Sequence, residues 1–335
     1  MRGHLRLLLA AAFCAAGCDG AGLAETPGPV TVVVPVPDGF EPLPVPPQNP
    51  LRADRVALGD RLFFDPILSR DRTVSCGSCH LPELSFSDGR QKSVGVGGAV
   101  GLRNAPSLLN VAYRKTLFWD GGALFLESQA LVPLEDPHEM DLAPQDALAR
   151  LREHPEYPTL FAEAFDGDGP NVQTLTYALA AFQRTLVSAP TDFDRYRAGD
   201  ASALEDDERA GLALFETHCQ SCHAGPQLTT DGFKNNGASV TDDDPGRARI
   251  TFSDEDRGTF RVPSLRAVAR TAPYFHDGRF ADLEAVVDHY DRGGDGTPGQ
   301  SARVLPLRLS PDDRAALVAF LHTLYDRPAH VEAAP

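Results

Sequence analysis

Two pentapeptides of one pattern hold the residues best suited to chemistry, Cys76-Gly77-Ser78-Cys79-His80 and Cys219-Gln220-Ser221-Cys222-His223. Two thiols three positions apart reach both vinyl groups of one porphyrin, and the adjoining imidazole then reaches the iron from below. Each pentapeptide is therefore suited to covalent attachment of one haem c. A zinc site or a redox dithiol would use the same cysteines. Against those readings stand the repetition, the trailing histidine in both copies, and an N-terminus patterned for export, the route on which c-type haem is attached. The expectation is a dihaem redox protein with His80 and His223 as proximal iron ligands.

What lies on the other face of each iron separates catalysis from electron carriage, because an iron with one protein ligand is open and one with two is closed. After the initiator, Met140 is the single methionine, so at most one haem can be His/Met. Between His80 and Asn104 there is no further histidine and no methionine, only Lys92. Peroxide could bind the first iron there, with Lys92 and His138 as rival visitors. A non-enzymatic electron carrier would need both irons closed, and this interval supplies no strong ligand for the first.

The elements that position these motifs read as helices. Gly59-x-x-Leu62-Phe63 and Gly211-x-x-Leu214-Phe215 precede the two motifs, which suggests a duplicated cytochrome c unit. Ser202-x-x-Glu205 reads as a capping box opening the helix that leads to Cys219. Ser310 with Pro311 opens another, with Ala315, Leu317, Val318, Leu321 and Leu324 on one stripe. Asn171 to Val187 and Asp282 to Tyr290 are further candidates, and strand signals are weak. The fold class predicted is mainly α: two cytochrome c-like domains related by duplication, residues 51–200 and 201–328, each carrying one covalent haem c, with a short tail at 329–335.

Arg2 and Arg6, the apolar run Leu7 to Phe13 and Ala15-Ala16-Gly17-Cys18 together match a secretory signal over residues 1–18, too short to span a bilayer. The ending fits either a lipobox acylated at Cys18 or plain secretion. Either way Cys14 and Cys18 are processing residues. Residues 19–50 read as a linker whose proline-dense part, Pro27 to Pro50, is an extended stalk. The expected location is periplasmic, with a membrane tether only through Cys18. A formal net charge of −16 means a solvated surface or a field that steers a basic electron donor. The same sign disfavours nucleic acid.

Between and after the motifs run Asn104-Ala105-Pro106-Ser107, Phe118-Trp119-Asp120-Gly121, Glu127-Ser128-Gln129-Ala130, Asp136-Pro137-His138-Glu139-Met140 and Thr271-Ala272-Pro273-Tyr274-Phe275-His276-Asp277-Gly278. With these blocks, residues 51 to 328 resemble the bacterial dihaem cytochrome c peroxidase and MauG family. The resemblance implies that Glu139 is the distal carboxylate moving a proton between the oxygens of peroxide, a role that general acid/base chemistry allows a carboxylate. It implies that Gln129 is the neutral hydrogen-bonding partner beside it and Trp119 an indole relay between the haems. It also implies a calcium site from Asn104 and the main-chain carbonyls of Thr271 and Pro273, oxygen donors that suit a hard cation.

Two positions depart from the usual family pattern. Val96 stands where many members place a histidine on the first iron, so that haem is expected five-coordinate without activation. Tyr290 stands at the axial methionine position of the second haem, as in MauG. His289 rivals it by chemistry alone, but helical neighbours point about 100° apart, so only one can face the iron. Axial ligation tunes haem potentials over roughly 0.8 V, and a phenolate favours ferric iron. The expected function is reduction of hydrogen peroxide to water at the N-terminal haem, with electrons from a small cytochrome c or a cupredoxin entering through the C-terminal haem. The rival is a MauG-like oxidase that uses peroxide to oxidise side chains of a partner protein.

Overall fold

The computed structural model describes residues 29–188, 190–238 and 244–325. The expected signal, Cys18 and the tail lie outside the described residues.

Each half is organised on one close helix crossing. In the first, α1 (Ala53–Phe64) buries Leu58, Leu62 and Phe63 on one side. The short α2 (Cys76–Cys79) carries the first motif, and α3 (Leu126–Gln129), α4 (Leu131–Glu135), α5 (Pro144–Glu153) and α6 (Tyr157–Ala164) lead to α7 (Val172–Arg184). Asn171 caps α7 by accepting from Thr174 N–H at 3.0 Å, while the Thr174 hydroxyl takes the Asn171 N–H. In the second half follow α8 (Asp192–Arg197), α9 (Asp206–His218), α10 (Ala248–Thr251), α11 (Leu283–Asp291) and α12 (Pro311–His322). Ser310 caps α12 and Pro311 takes its first turn, because the amide proline lacks would have no intrahelical partner there.

The Gly-x-x-Leu-Phe repeat marks these crossings. A Cβ on Gly59 would stand 2.0 Å from Ala178 O, and one on Gly211 would stand 1.9 Å from Ala316 O. Only glycine lets the helix backbones come this near. The next turn packs Phe63 against Phe182 and Phe215 against Phe320, each pair tilted with ring centroids 5.0 Å apart. Two cores result, one from Leu58 to Leu186 and one from Phe193 to Leu324. The mainly helical fold agrees with expectation. The only named strands among the described residues are β1 (Phe233–Lys234) and β2 (Phe260–Arg261), paired antiparallel.

Local details differ from the sequence reading. Ser202 does not open α9: it bonds back to Asp200, and Glu205 caps the helix in a reciprocal box with Glu208. Three acidic residues in that first turn suit the positive end of the helix. On α12 the buried face uses Ala316 and Phe320 rather than Ala315, which is exposed. Although numbered with the first half, α8 packs on the second core, with Phe193 edge-on to Phe320 at 5.4 Å. The proline-rich segment lies against the body instead of standing free. Ala53 N–H bonds Val30 O, Arg184 reaches Pro44 O at 3.3 Å, Asn49 is fully buried, and Phe40 sits between Tyr113 and the Arg266 guanidinium.

Candidate haem sites and their surroundings

Both motifs present their imidazole in the same way. His80 Nδ1 lies 2.8 Å from Phe86 O and His223 Nδ1 lies 3.1 Å from Leu228 O. A carbonyl only accepts, so Nδ1 carries the hydrogen and Nε2 keeps its lone pair for a metal. Burial lowers both ring pKa values, that of His223 to about 4, and so holds the rings neutral as iron ligands must be. The four thiols are free, and among the described residues no cluster of three His, Cys, Asp or Glu side chains could hold a metal ion, as a zinc site requires. In both motifs a cysteine pair and a trailing neutral imidazole fit haem c, and the second has space beside them.

That space at the second motif is a cavity of ≈ 260 Å³ lined by Cys219, Cys222, His223 and Tyr290. His289 faces elsewhere. It is fully buried, with Nε2 2.9 Å from Asn236 O and Nδ1 3.0 Å from an Arg292 guanidinium nitrogen, so both ring nitrogens are engaged by protein. Tyr290 lines the cavity with Asn236, whose side-chain amide donates to the Tyr290 hydroxyl at 3.4 Å. Burial pushes the Tyr290 phenol up to about 12, and charge on the Cys219 and Cys222 thiols pushes the same way. The second effect vanishes once those sulfurs are thioethers. Asn236, which touches both rivals on α11, was not apparent from the sequence; the paired Asn235-Asn236 is its only signal.

At the first motif the carboxylate of Glu139 is the prominent group. It follows α4 in a tight turn, with Glu139 N–H on Asp136 O and Met140 N–H on Pro133 O. Burial first, and more weakly the charge of Glu139, raises the Cys76 and Cys79 thiols, so the carboxylate lies within electrostatic range of the attachment point. The residue is exposed, yet the protein atoms around its carboxyl, then the neighbouring Asp136 charge, raise its pKa to about 7. The loop after His80 holds the turn in place. Val96 N–H bonds Glu139 O at 2.8 Å, and a Cβ on Gly95 would stand 2.1 Å from His138 O. Val96 is thus a buried prop for Glu139, a role visible in sequence only through the Gly-Val-Gly-Gly spacing.

Gln129 ends α3 half-buried, and no hydrogen bond among the described residues joins its amide to Glu139. Lys92 is exposed, His138 is exposed and 3.2 Å from Asp136, and Met140 is packed in the first core beside Leu134 and Leu142.

Trp119 lines the cavity of the second motif although it is numbered with the first half. Its indole N–H donates to Asn104 O at 2.9 Å, and its own carbonyl accepts from Arg261 N–H at 2.7 Å. The next residue, Asp120, is fully buried and takes Arg103 at 2.7 Å and Arg249 at 2.6 Å, while Arg103 also grips Asp244. These ion pairs tie the tryptophan turn to the second half. Asn104, Thr271 and Pro273 line the same cavity. Asn104 N–H bonds His276 O and its Nδ2 donates to Arg90 O at 2.7 Å, which leaves Oδ1 for another partner.

Comparison with known proteins gives the family and the fold. A family model described as di-haem cytochrome c peroxidase matches residues 53–202, and one described as cytochrome c matches residues 208–325. The methylamine utilization protein MauG of Methylorubrum extorquens is 42% identical over 296 residues, covering 87% of this chain and 84% of its own. A cytochrome-c peroxidase, IdrP1, of a Pseudomonas species is 37% identical, covering 84% of each chain. The crystal structure of a MauG-like protein associated with microbial copper homeostasis superposes with a TM-score of 0.81 at 35% identity, covering 87% of this chain and 95% of the other.

Proposed function

Because the chain belongs to the di-haem cytochrome c peroxidase and MauG family, whose two haem c groups its pentapeptides fit, we propose that this peroxide-acting oxidoreductase reduces hydrogen peroxide to water at the N-terminal haem, with electrons delivered through the C-terminal haem. One observation carries the reading: a solvent-accessible carboxyl, Glu139, with no side-chain hydrogen bond among the described residues, on a turn that the loop after His80 holds through Val96 N–H. Haem c, held at His80, would supply redox-active iron for cleavage of the O–O bond. Glu139 Oε accepts the proton from one peroxide oxygen and returns it to the other, which leaves as water. A pKa near 7 suits both halves of that transfer, since the group is neither too weak a base nor too weak an acid. Val96 N–H and Gly95 hold the turn from which it acts, with Gln129 as its neutral partner.

A second reading, a MauG-like oxidase of partner-protein side chains, is favoured by Tyr290 and Trp119 lining one cavity. A ferric ion bound by the Tyr290 oxygen would ionise the phenol despite its burial, since a bound cation reverses the local pKa preference. A phenolate there disfavours storage of an electron. Trp119, between Asn104 and Arg261, is the residue through which the halves would exchange charge. Under either reading Asn104 Oδ1 and the carbonyls of Thr271 and Pro273 are ligands for one calcium ion. The protein works in the periplasm, secreted free or tethered at Cys18, and takes electrons from a small basic cytochrome c or a cupredoxin. The test is to add peroxide together with a reduced cytochrome c. Accelerated oxidation of the cytochrome is expected; oxidation of a neighbouring protein without it would establish the second reading instead.

A further inference from the structure

Arg114 and Arg261 converge on one carboxylate. Their Nη1 atoms lie 3.7 and 3.4 Å from the same oxygen, Asp231 Oδ1, and the side chains of Arg114, Asp231 and Arg261 are 8, 8 and 7% exposed. Two other arginine clusters are balanced: Arg266 meets Asp194 through two bonds of 2.7 Å, and Arg103 and Arg249 share Asp120, with Asp244 also on Arg103. In the Arg114 cluster two cations face one anion, and among the described residues no other charged group acts on either guanidinium. Burial, aided by the like charge of Arg261, lowers the Arg114 pKa to about 9, as a missing counter-charge would. Leaving a buried charge uncompensated costs several kcal/mol, so an anion belongs beside them.

Both arginines line the cavity that Cys219, Cys222, His223 and Tyr290 also line. The group those residues accept carries two propionate carboxylates on the porphyrin edge remote from its thioethers. A guanidinium offers the planar fork that matches a carboxylate. We propose that Arg114 and Arg261 anchor a propionate of the C-terminal haem, with Asp231 holding both forks in place. The excess positive charge makes that haem easier to reduce and so opposes the phenolate of Tyr290. Arg261 also donates from Nε to Phe118 O at 3.2 Å and from its main-chain N–H to Trp119 O. The anchor and the Trp119 turn therefore move as one unit.

This inference rests on haem c at the second motif, and the test separates the two. Mass spectrometry of the purified holoprotein first establishes haem covalently attached at Cys219 and Cys222; its absence would remove the premise. With haem attached, spectroelectrochemical titration follows the midpoint potential of the second haem. Arg114→Gln should disfavour reduction by about tenfold, a fall of about 59 mV for one electron. Asp231→Asn removes a negative charge and should shift the potential upward, whereas Arg114→Lys, which keeps the charge, should stay near wild type. Should Arg114→Gln fail to accumulate, the sign of the Asp231→Asn shift decides alone. No shift, or shifts of one sign in Arg114→Gln and Asp231→Asn, would overturn the proposal.

Discussion

The pKa of Glu139 leads to a pH profile that an ordinary carboxylate would not produce. Crowding by protein comes first and the Asp136 charge second in raising it from 4.5 to about 7. A base must be ionised to accept a proton, so the rate of peroxide consumption at low substrate should follow the ionised fraction. For a group with this pKa the fraction is about one-tenth at pH 6 and about nine-tenths at pH 8, a rise of about tenfold. A carboxyl of ordinary pKa would be fully ionised across that range and give a flat line. Hydrogen peroxide stays protonated throughout, so the inflection belongs to the protein. Asp136→Asn removes the like charge and should move the inflection to lower pH, while leaving it above the ordinary carboxylate value because crowding persists. Stopped-flow measurement of kcat/KM from pH 5 to 9 reads both effects. A flat profile in the wild type, or an inflection that survives in Glu139→Gln, would refute Glu139 as the base.

Three further outcomes are expected. Gly211→Ala would place Cβ 1.9 Å from Ala316 O, so α9 and α12 must part by more than about 1 Å to restore ordinary contact. Thermal unfolding should show a loss of about 1–3 kcal/mol or more, and Gly59→Ala should do the same in the first half. Tyr290→Met should raise the potential of the second haem, because a neutral ligand no longer favours ferric iron; a titration without a shift would direct attention back to His289. Phe40→Ala removes an edge contact to Tyr113 and the Arg266 cation from its ring, and denaturant unfolding should register about 1–2 kcal/mol.

Local covalent and capping rules made part of this protein readable. Cys-x-x-Cys-His needs nothing beyond five consecutive residues, and both copies sit as their chemistry demands, each with Nδ1 on a nearby carbonyl. Ser310 before Pro311 and Asn171 before Val172 announce helix starts that the structure keeps, because a cap bonds within its own first turn. The Gly-x-x-Leu-Phe repeat announced duplication. Its reason, a glycine under Ala178 or Ala316, needs a partner more than a hundred positions away.

Where two local solutions were nearly equal, sequence reasoning erred or stayed divided. Ser202 and Glu205 both suit a cap, and Asp200 decided the matter by taking the serine hydroxyl. The proline-rich stretch reads as extended either way, and whether it stands free or lies down depends on Arg184 and Arg266 far along the chain.

Residue types, motif spacing and the starts of α7 and α12 are determined by the sequence alone, since each follows from bonds among neighbours. The family resemblance pointed to Tyr290 over its neighbour His289, and tertiary structure supplied the physical reason: Tyr290 lines the cavity while Asn236 and Arg292 claim the imidazole. Tertiary structure alone brought Arg114, Asp231 and Arg261 together with one charge to spare. A charge balance belongs to a place in space, and residues assembled from distant parts of a chain leave no pattern of it along the chain.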